Sequence, residues 1–118
     1  MIYHIIYNLL GNIMRTIIID QDIPLAEDKR LIKRLYKVNK SNDFPDGLEY
    51  SYQYLYFKED KWVQVARIDN QLHSGKPGAH IHTLSREKVQ WVNLTFEDAQ
   101  DRIIEMGESI IKNIINKI

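Results

Sequence analysis

The stretch Glu49-Tyr50-Ser51-Tyr52-Gln53-Tyr54-Leu55-Tyr56-Phe57 decides the fold class of this chain. Its tyrosines occupy every second position, and successive side chains of a β-strand point to opposite faces of a sheet. A polar segment of hairpin length, Lys58 to Lys61, connects it to a second strand candidate, Trp62 to Asp69. The pair predicts an antiparallel sheet with one face lined by tyrosine.

The tyrosine-lined face has two interpretations. It can be half buried beneath another element, with its hydroxyl groups reaching polar partners at the rim. Alternatively, exposed rings can form a platform on which unpaired nucleic-acid bases stack. Burial is the expectation because a sheet needs one buried face, although the alternation itself is the same in both cases.

A long C-terminal helix follows the strands. Thr95 is a suitable N-cap, and Glu97 and Asp98 fall in the first turn, where the helix dipole favours acidic groups. Apolar residues then recur at spacings of three and four: Phe96, Ala99, Ile103, Met106, Ile110, Ile114 and Ile118. This stripe predicts a helix that covers the core, and its apolar far end suits a homodimer or partner contact.

The remaining segments complete the prediction of an α+β fold, a four- to five-stranded mainly antiparallel sheet packed against this helix. Thr16 to Ile19 is a short strand candidate, and Asn39 to Gly47 is dense in turn-forming residues. Asp22 to Val38 fits either a helix, with Pro24 in its first turn, or a strand. Further strands are expected at Ala79 to Leu84 and Val89 to Leu94.

Length and composition favour one domain in an intracellular, cytoplasmic protein. Of the 118 residues, 16 are basic and 16 acidic, so no overall charge draws the chain to nucleic acid or membrane. There is no cysteine, which excludes disulfides and thiolate metal sites. We expect residues 14–118 to form the domain. Residues 1–13 are an apolar extension, too short to span a bilayer; they precede a natural start at Met14 or form a helix that packs on the domain or a partner.

Functional side chains concentrate between Arg67 and Glu87. This run holds three of the four histidines, and two glycines and a proline mark a sharp bend within it. His80 and His82 are two apart in a predicted strand and therefore share a face, while His73 lies across the bend. Arg67 and Asp69 likewise share a face at the end of the preceding strand.

Three chemical interpretations of this cluster remain open at the level of sequence. A divalent transition metal can be held by His73, His80 and His82, with Glu87 as a further ligand. Without any cofactor, His80 and His82 can instead exchange protons during RNA cleavage while Asp69 orients a histidine. In that case Arg67 would also belong to the catalytic residues and stabilise the charge on the phosphate, and the substrate would be bound by the group Asn70, Gly75, Lys76, Gly78 and Arg86. The third interpretation is a polar turn without chemistry, as in a protein-interaction module.

The order of residues in the cluster resembles the TumE-type family of small toxin-like proteins. The matching signature is Asp69, Asn70, Gly75, Lys76, Gly78, His80 and His82, preceded by aromatic-rich strands and followed by a terminal helix, over roughly residues 47–112. The chain departs from the pattern at Pro77, at Ala79 and in its additional His73. The resemblance implies the toxin of a toxin–antitoxin pair, acting on RNA, with a cognate antitoxin protein as partner.

Overall fold

The computed structural model describes residues 5–7, 14–86 and 88–116. Within these residues the chain forms seven strands followed by one helix. The strands are β1 (Ile5–Tyr7), β2 (Met14–Ala26), β3 (Lys29–Lys37), β4 (Leu48–Lys58), β5 (Lys61–Asp69), β6 (His80–Thr83) and β7 (Gln90–Trp91), and the helix is α1 (Phe96–Asn116). This architecture confirms the predicted α+β class, a mainly antiparallel sheet packed against a long C-terminal helix.

The sheet is a meander in which every strand pairs antiparallel with its neighbour in sequence, in the order β1 to β7. The prediction of four or five strands was too low. The segment Ile5–Tyr7 pairs with Met14–Thr16, so a helix is not what these three residues form. The other residues of the 1–13 extension lie outside the described part of the chain.

The segment from Asp22 to Val38, for which helix and strand were both open, forms a β-hairpin. Its strands turn at Glu27 and Asp28, and Pro24 lies within β2 opposite Arg30. Pro24 is tolerated there because, among the described residues, β1 pairs only with residues 14–16, which leaves this part of β2 at the sheet edge. Leu31 and Leu35 are buried in the core, whereas Ile32 points to the opposite face.

The core lies between α1 and strands β3 to β6. Tyr50, Tyr52 and Tyr54 are 4%, 0% and 0% exposed, so the burial interpretation of the tyrosine-lined face is confirmed and the base-stacking platform is excluded for these three rings. Their hydroxyl groups find polar partners at the core boundary: Tyr50 donates to Leu94 O at 2.6 Å and Tyr52 to Phe96 O at 2.8 Å.

The helix begins where the sequence predicted. The backbone N–H of Asp98 donates to Thr95 Oγ1 at 3.2 Å, which caps the first turn. Near the middle of α1, Gly107 faces the ring of Tyr54 so closely that a Cβ atom would overlap it. Glycine at this position lets the helix backbone approach the tyrosine-lined face. Within the described residues, no helix has the length and apolarity needed to cross a membrane.

Candidate functional site

The predicted cluster lies on the sheet face that α1 leaves uncovered. In the ladder between β5 and β6, Asp69 is opposite His80 and Arg67 is opposite His82. Directly opposed residues point to the same face, and their neighbours Ile68 and Ile81 point to the helix-covered face. Register therefore places Arg67, Asp69, His80 and His82 together, away from the apolar core.

The third histidine reaches this face through a tight local turn. His73 and Lys76 exchange two backbone hydrogen bonds, of 3.1 and 3.0 Å, around Ser74 and Gly75. These two central residues have φ values of 53° and 77°, the positive pair that a type I′ turn requires. Gly75 satisfies that requirement without strain, and this is its role here.

The three imidazoles converge. The ring centroids of His80 and His82 are 4.8 Å apart, and that of His73 is 5.2 Å from His80 and 5.5 Å from His82. One nitrogen of each ring lies within 4.8 Å of the others. Around a zinc ion, tetrahedral nitrogen ligands lie roughly 3.4 Å apart, so a shift of about 1 Å would close the set on an ion.

His80 is the buried member of the triad, with only 2% of its surface exposed. Its Nδ1 atom lies 3.1 Å from the carbonyl oxygen of Gly78, which fixes the orientation of the ring. Gly78 has a φ of 110°, a backbone conformation that other residues rarely adopt. The carbonyl oxygen of Gly78 thus accepts a hydrogen bond from the Nδ1–H of His80. Metal-binding histidines commonly donate the N–H that faces away from the metal to a backbone carbonyl in this way.

The buried carboxylate of Asp69 lies close to the Nε2 atoms of His80 and His82. Its Oδ1 atom lies 3.3 Å from His80 Nε2, and its Oδ2 atom lies 3.8 Å from His82 Nε2. A neutral imidazole has a single N–H. When His80 donates that hydrogen to Gly78, the lone pair of Nε2 faces the carboxylate, and this arrangement requires a positive charge between them, either a proton or a metal ion.

The other two histidines are accessible from the solvent. His82 is 33% exposed through its side chain, and His73 is also partly exposed. Burial lowers the pKa of His82 below its usual value, and the nearby His80, His73 and Arg67 act in the same direction against the opposing effect of Asp69. The lowered pKa favours the neutral form of His82, which has a lone pair available to a proton or a metal ion.

A chain of hydrogen bonds holds Asp69 from the other side. Arg67 Nε donates to Asp69 Oδ2 at 2.7 Å, and Arg67 Nη2 donates to Gln71 Oε1 at 3.0 Å. Gln71 in turn donates through Nε2 to Glu49 Oε1 at 2.8 Å, and the same oxygen accepts from Arg15 Nη2 at 3.1 Å. The buried carboxylate of Glu49 thus links β2 to the histidines.

Sequence reasoning missed three members of this network, namely Arg15, Glu49 and Gln71. A signal was present for Glu49, because it shares strand parity with Ser51, which lies opposite Asp69. The role of Arg67 also differs from the expected phosphate contact, since its guanidinium is engaged by Asp69 and Gln71.

The structure does not bring together all of the predicted substrate-binding residues. The side chain of Asn70 clamps the turn to β4, accepting from Tyr50 N at 2.7 Å and donating to Leu48 O at 2.9 Å. Arg86 contacts Gln90 at 3.0 Å and lines a cavity beside α1 that contains none of the three histidines. Lys76 remains close to the triad. Glu87 lies outside the described residues, and so does the prediction that it is a ligand.

The arrangement as a whole is an electron-rich pocket with an accessible side. Three imidazoles and a carboxylate are the donor types that bind zinc and related ions. Comparisons of the chain with models of known protein families, with curated protein sequences and with solved structures find no match. The geometry of these residues is accordingly the basis on which a function is assigned.

Proposed function

We propose that this domain binds a divalent transition-metal ion through His73, His80 and His82, beside the carboxylate of Asp69. The observation that carries this proposal is the buried pair of His80 Nε2 and Asp69 Oδ1, 3.3 Å apart, with two further imidazoles around it. Two electron-rich atoms at that distance in a dry environment need a proton or a metal ion between them, and the neighbouring imidazoles offer a metal ion additional ligands.

The expected ion is of the zinc class, because the donors are nitrogen and oxygen and cysteine is absent from the sequence. His73 and His82 lie at the accessible side, so a coordination position directed outward would be open to water. With Asp69 and the three imidazoles bound, the ion would already have four ligands, so water would enter as a fifth ligand or in place of Asp69, and the ion would activate that water for hydrolysis. A hydrolytic reaction is therefore the chemistry that the site suits.

Metal analysis tests the proposal directly. Protein purified without a histidine tag, stripped with EDTA and then incubated with zinc is expected to retain one ion per chain after dialysis. His80→Gln and His82→Gln should each abolish stoichiometric retention, while Arg86→Gln, on the other side of the sheet, should leave it unchanged. Circular dichroism confirms that each variant is folded. Wild-type protein that retains no zinc, cobalt, nickel or manganese would refute the metal site.

A second candidate is the metal-free cleavage of RNA by a toxin. It is favoured by the position of His73 and His82, two partly exposed imidazoles whose ring centroids are 5.5 Å apart. Lys76 lies close to His73. His80 is too deeply buried to touch an RNA strand, so His73 would replace it in the acid–base pair. On this proposal the protein acts in the cytoplasm, and a cognate antitoxin protein or a second copy of the chain is its partner.

Expression in a bacterial host distinguishes the two candidates. The RNA toxin predicts growth arrest that His82→Gln relieves, and RNA cleavage by the purified protein that persists in EDTA. The metal site predicts that EDTA abolishes any activity and that added zinc restores it. Harmless expression, together with no cleavage of total RNA in EDTA, would exclude the metal-free toxin.

A further inference from the structure

A second recess adjoins the histidine triad on its accessible side. It has a volume of about 440 Å³ and is lined by His73, Ser74, Lys76, Lys88, Val89 and Trp91. His73 belongs both to this recess and to the triad. A ligand seated in the recess would therefore lie against His73, one of the three proposed metal ligands.

The recess is cationic. Lys76 and Lys88 bring two ammonium groups to it, Ser74 adds a hydroxyl group, and none of the described residues that line it is acidic. The two lysines are exposed and attract an anion, and phosphate is the group that lysine ammonium groups commonly bind.

Trp91 fixes the position of one of these charges. The Nζ atom of Lys76 lies 4.4 Å from the centroid of the Trp91 ring, a cation–π contact. The same indole ring packs against His80 and His73, with centroid distances of 5.0 and 6.2 Å. One aromatic side chain thus connects the lysine to two histidines of the triad and holds the ammonium group beside them.

The backbone supports this arrangement. The turn at Ser74 and Gly75 places Lys76 opposite His73, with which it exchanges two backbone hydrogen bonds. Gly78 adopts a φ of 110°, which favours glycine, and a Cβ atom there would lie at ordinary contact distance, 3.9 Å, from the Trp91 ring. The lysine and the histidine are therefore presented by one short, well-defined hairpin.

We propose that this recess is the substrate subsite of the metal centre and that it binds the phosphate group of a phosphate ester. Lys76 and Lys88 bind the anion, and Trp91 is a positioning residue for Lys76. The role of the recess as a substrate subsite rests on the proposed metal site. The binding of phosphate to the two lysines does not require the metal.

Trp91 provides the measurement. The chain has two tryptophans, so Trp62→Phe leaves Trp91 as the single fluorescent reporter. Phenyl phosphate is titrated into this full-length protein in EDTA, with excitation at about 295 nm to avoid the probe. We expect a saturable fluorescence change, and about a tenfold weaker affinity in each of Lys76→Gln and Lys88→Gln, the loss of one charge-assisted hydrogen bond. Lys112→Gln, on the exposed side of α1, is the matched control and should bind as the parent does.

Two results would overturn the phosphate subsite. One is the absence of a saturable change in protein that circular dichroism shows to be folded, and the other is equal affinity in the parent and in both lysine variants. These results do not depend on the metal proposal, because the zinc content of the same preparations is measured separately.

A zinc-loaded arm tests whether the recess serves the metal centre. Binding of phenyl phosphate should tighten when zinc is present, and Lys76→Gln should weaken it in both states. An affinity that zinc leaves unchanged would show that the recess is not a subsite of the triad. The zinc-loaded protein is then assayed with 4-nitrophenyl phosphate, a monoester, and with bis(4-nitrophenyl) phosphate, a diester, to identify which class it hydrolyses. If it hydrolyses neither compound, the assignment of the recess as a substrate subsite is refuted.

Discussion

The two faces of strands β4 to β6 are built from alternating residues of the same segments, yet they follow different rules. On the helix-covered face, Tyr52 and Ile68 lie opposite each other and are fully buried beneath α1. On the other face Asp69 and His80 are opposed and equally dry, at 2% exposure each. The first pair is stabilised by removal of apolar surface from water, and the second is held by hydrogen bonds and charge.

This difference indicates that the helix-covered face mainly stabilises the fold and that the opposite face carries the candidate functional site. A buried polar group is costly unless it is paired, and the Asp69 carboxylate accepts from Arg67 Nε at 2.7 Å and from Gln71 N at 2.9 Å. Because side chains alternate along a strand, a slip of one residue in register would exchange the two faces. Changes on the helix-covered face should therefore alter folding, and changes on the other face should alter binding.

The largest expected effect is the loss of stability in alkaline solution. Burial raises the pKa of Tyr50 to about 12, with a further increase from the charge of Asp69. Burial likewise raises the pKa values of Tyr52 and Tyr54, where Glu97 and Glu108 add to the effect. Since the pKa in the folded protein lies above the unfolded value near 10, the stabilisation is complete below pH 10 and is lost as the pH rises toward the folded-state values.

Because the unfolded state releases the phenolic proton first, each of these tyrosines should lower the free energy of unfolding by about 1.4 kcal/mol per pH unit above pH 10. Urea unfolding followed by circular dichroism between pH 8 and pH 12 measures this slope. Tyr50→Phe removes one ionisable group and should make the decline shallower. A flat stability profile up to pH 12 would contradict the burial of these hydroxyl groups.

The next largest effect is expected from Tyr52→Ala. Removal of this fully buried ring leaves a cavity against Phe96, whose ring centroid is 5.3 Å away. We expect a loss of about 4 kcal/mol in unfolding free energy. Tyr56→Ala is the control on the same strand face, and a loss of about 1–2 kcal/mol is expected there because Tyr56 is only partly buried. Equal losses at the two positions would show that α1 does not cover the face as described.

A smaller destabilisation is expected from Gly107→Ala, which adds a single methyl group between α1 and Tyr54. The methyl group would overlap the tyrosine ring, so the helix must move outward, at a cost of about 2 kcal/mol. Alanine ordinarily favours a helix over glycine, so an increase in melting temperature would contradict the close approach. Ser109→Ala, at an exposed position on the same helix, is the matched control.

The smallest expected effect on stability, and the clearest on binding, comes from Glu49→Gln. The amide keeps the shape of the side chain but removes the charge that Arg15 and Gln71 contact. We expect about 1 kcal/mol of lost stability and about tenfold weaker zinc binding, because Arg67 then holds Asp69 less firmly. Isothermal titration calorimetry measures the affinity, and Glu105→Gln on the exposed part of α1 should change neither quantity. Zinc affinity equal to that of the parent would remove Glu49 from the site.

Much of this contrast between the faces could be predicted from sequence. Alternation assigned Tyr50, Tyr52 and Tyr54 to one face and paired His80 with His82, because the two-residue period of a strand is a local property. The hairpin at Asp22 to Val38 stayed ambiguous, since Leu31, Ile32, Leu35 and Val38 satisfy a helical spacing as well as they satisfy a strand. The neighbouring strand β4, which the local pattern does not contain, resolves that ambiguity in favour of the hairpin.

The site was predicted less completely than the fold. Glu49 is linked to Asp69 only because the register of β4 against β5 brings it to Gln71. Arg86 was grouped with the histidines because it is close to them in sequence, and it contacts Gln90 instead. The depth of His80 was likewise unpredictable, because it depends on Trp91 and on the turn after β5 covering the ring.

The sequence by itself determined the fold class, which residues share a strand face and which histidines lie near the bend, since each follows from local periodicity and spacing. Only the tertiary structure decided that His80 and Asp69 are buried 3.3 Å apart, that Glu49 supports them, and that Lys76 and Trp91 form the wall of the adjoining recess. The physical reason is that burial and distance between strands depend on register, and register is set by all of the paired strands and the helix together.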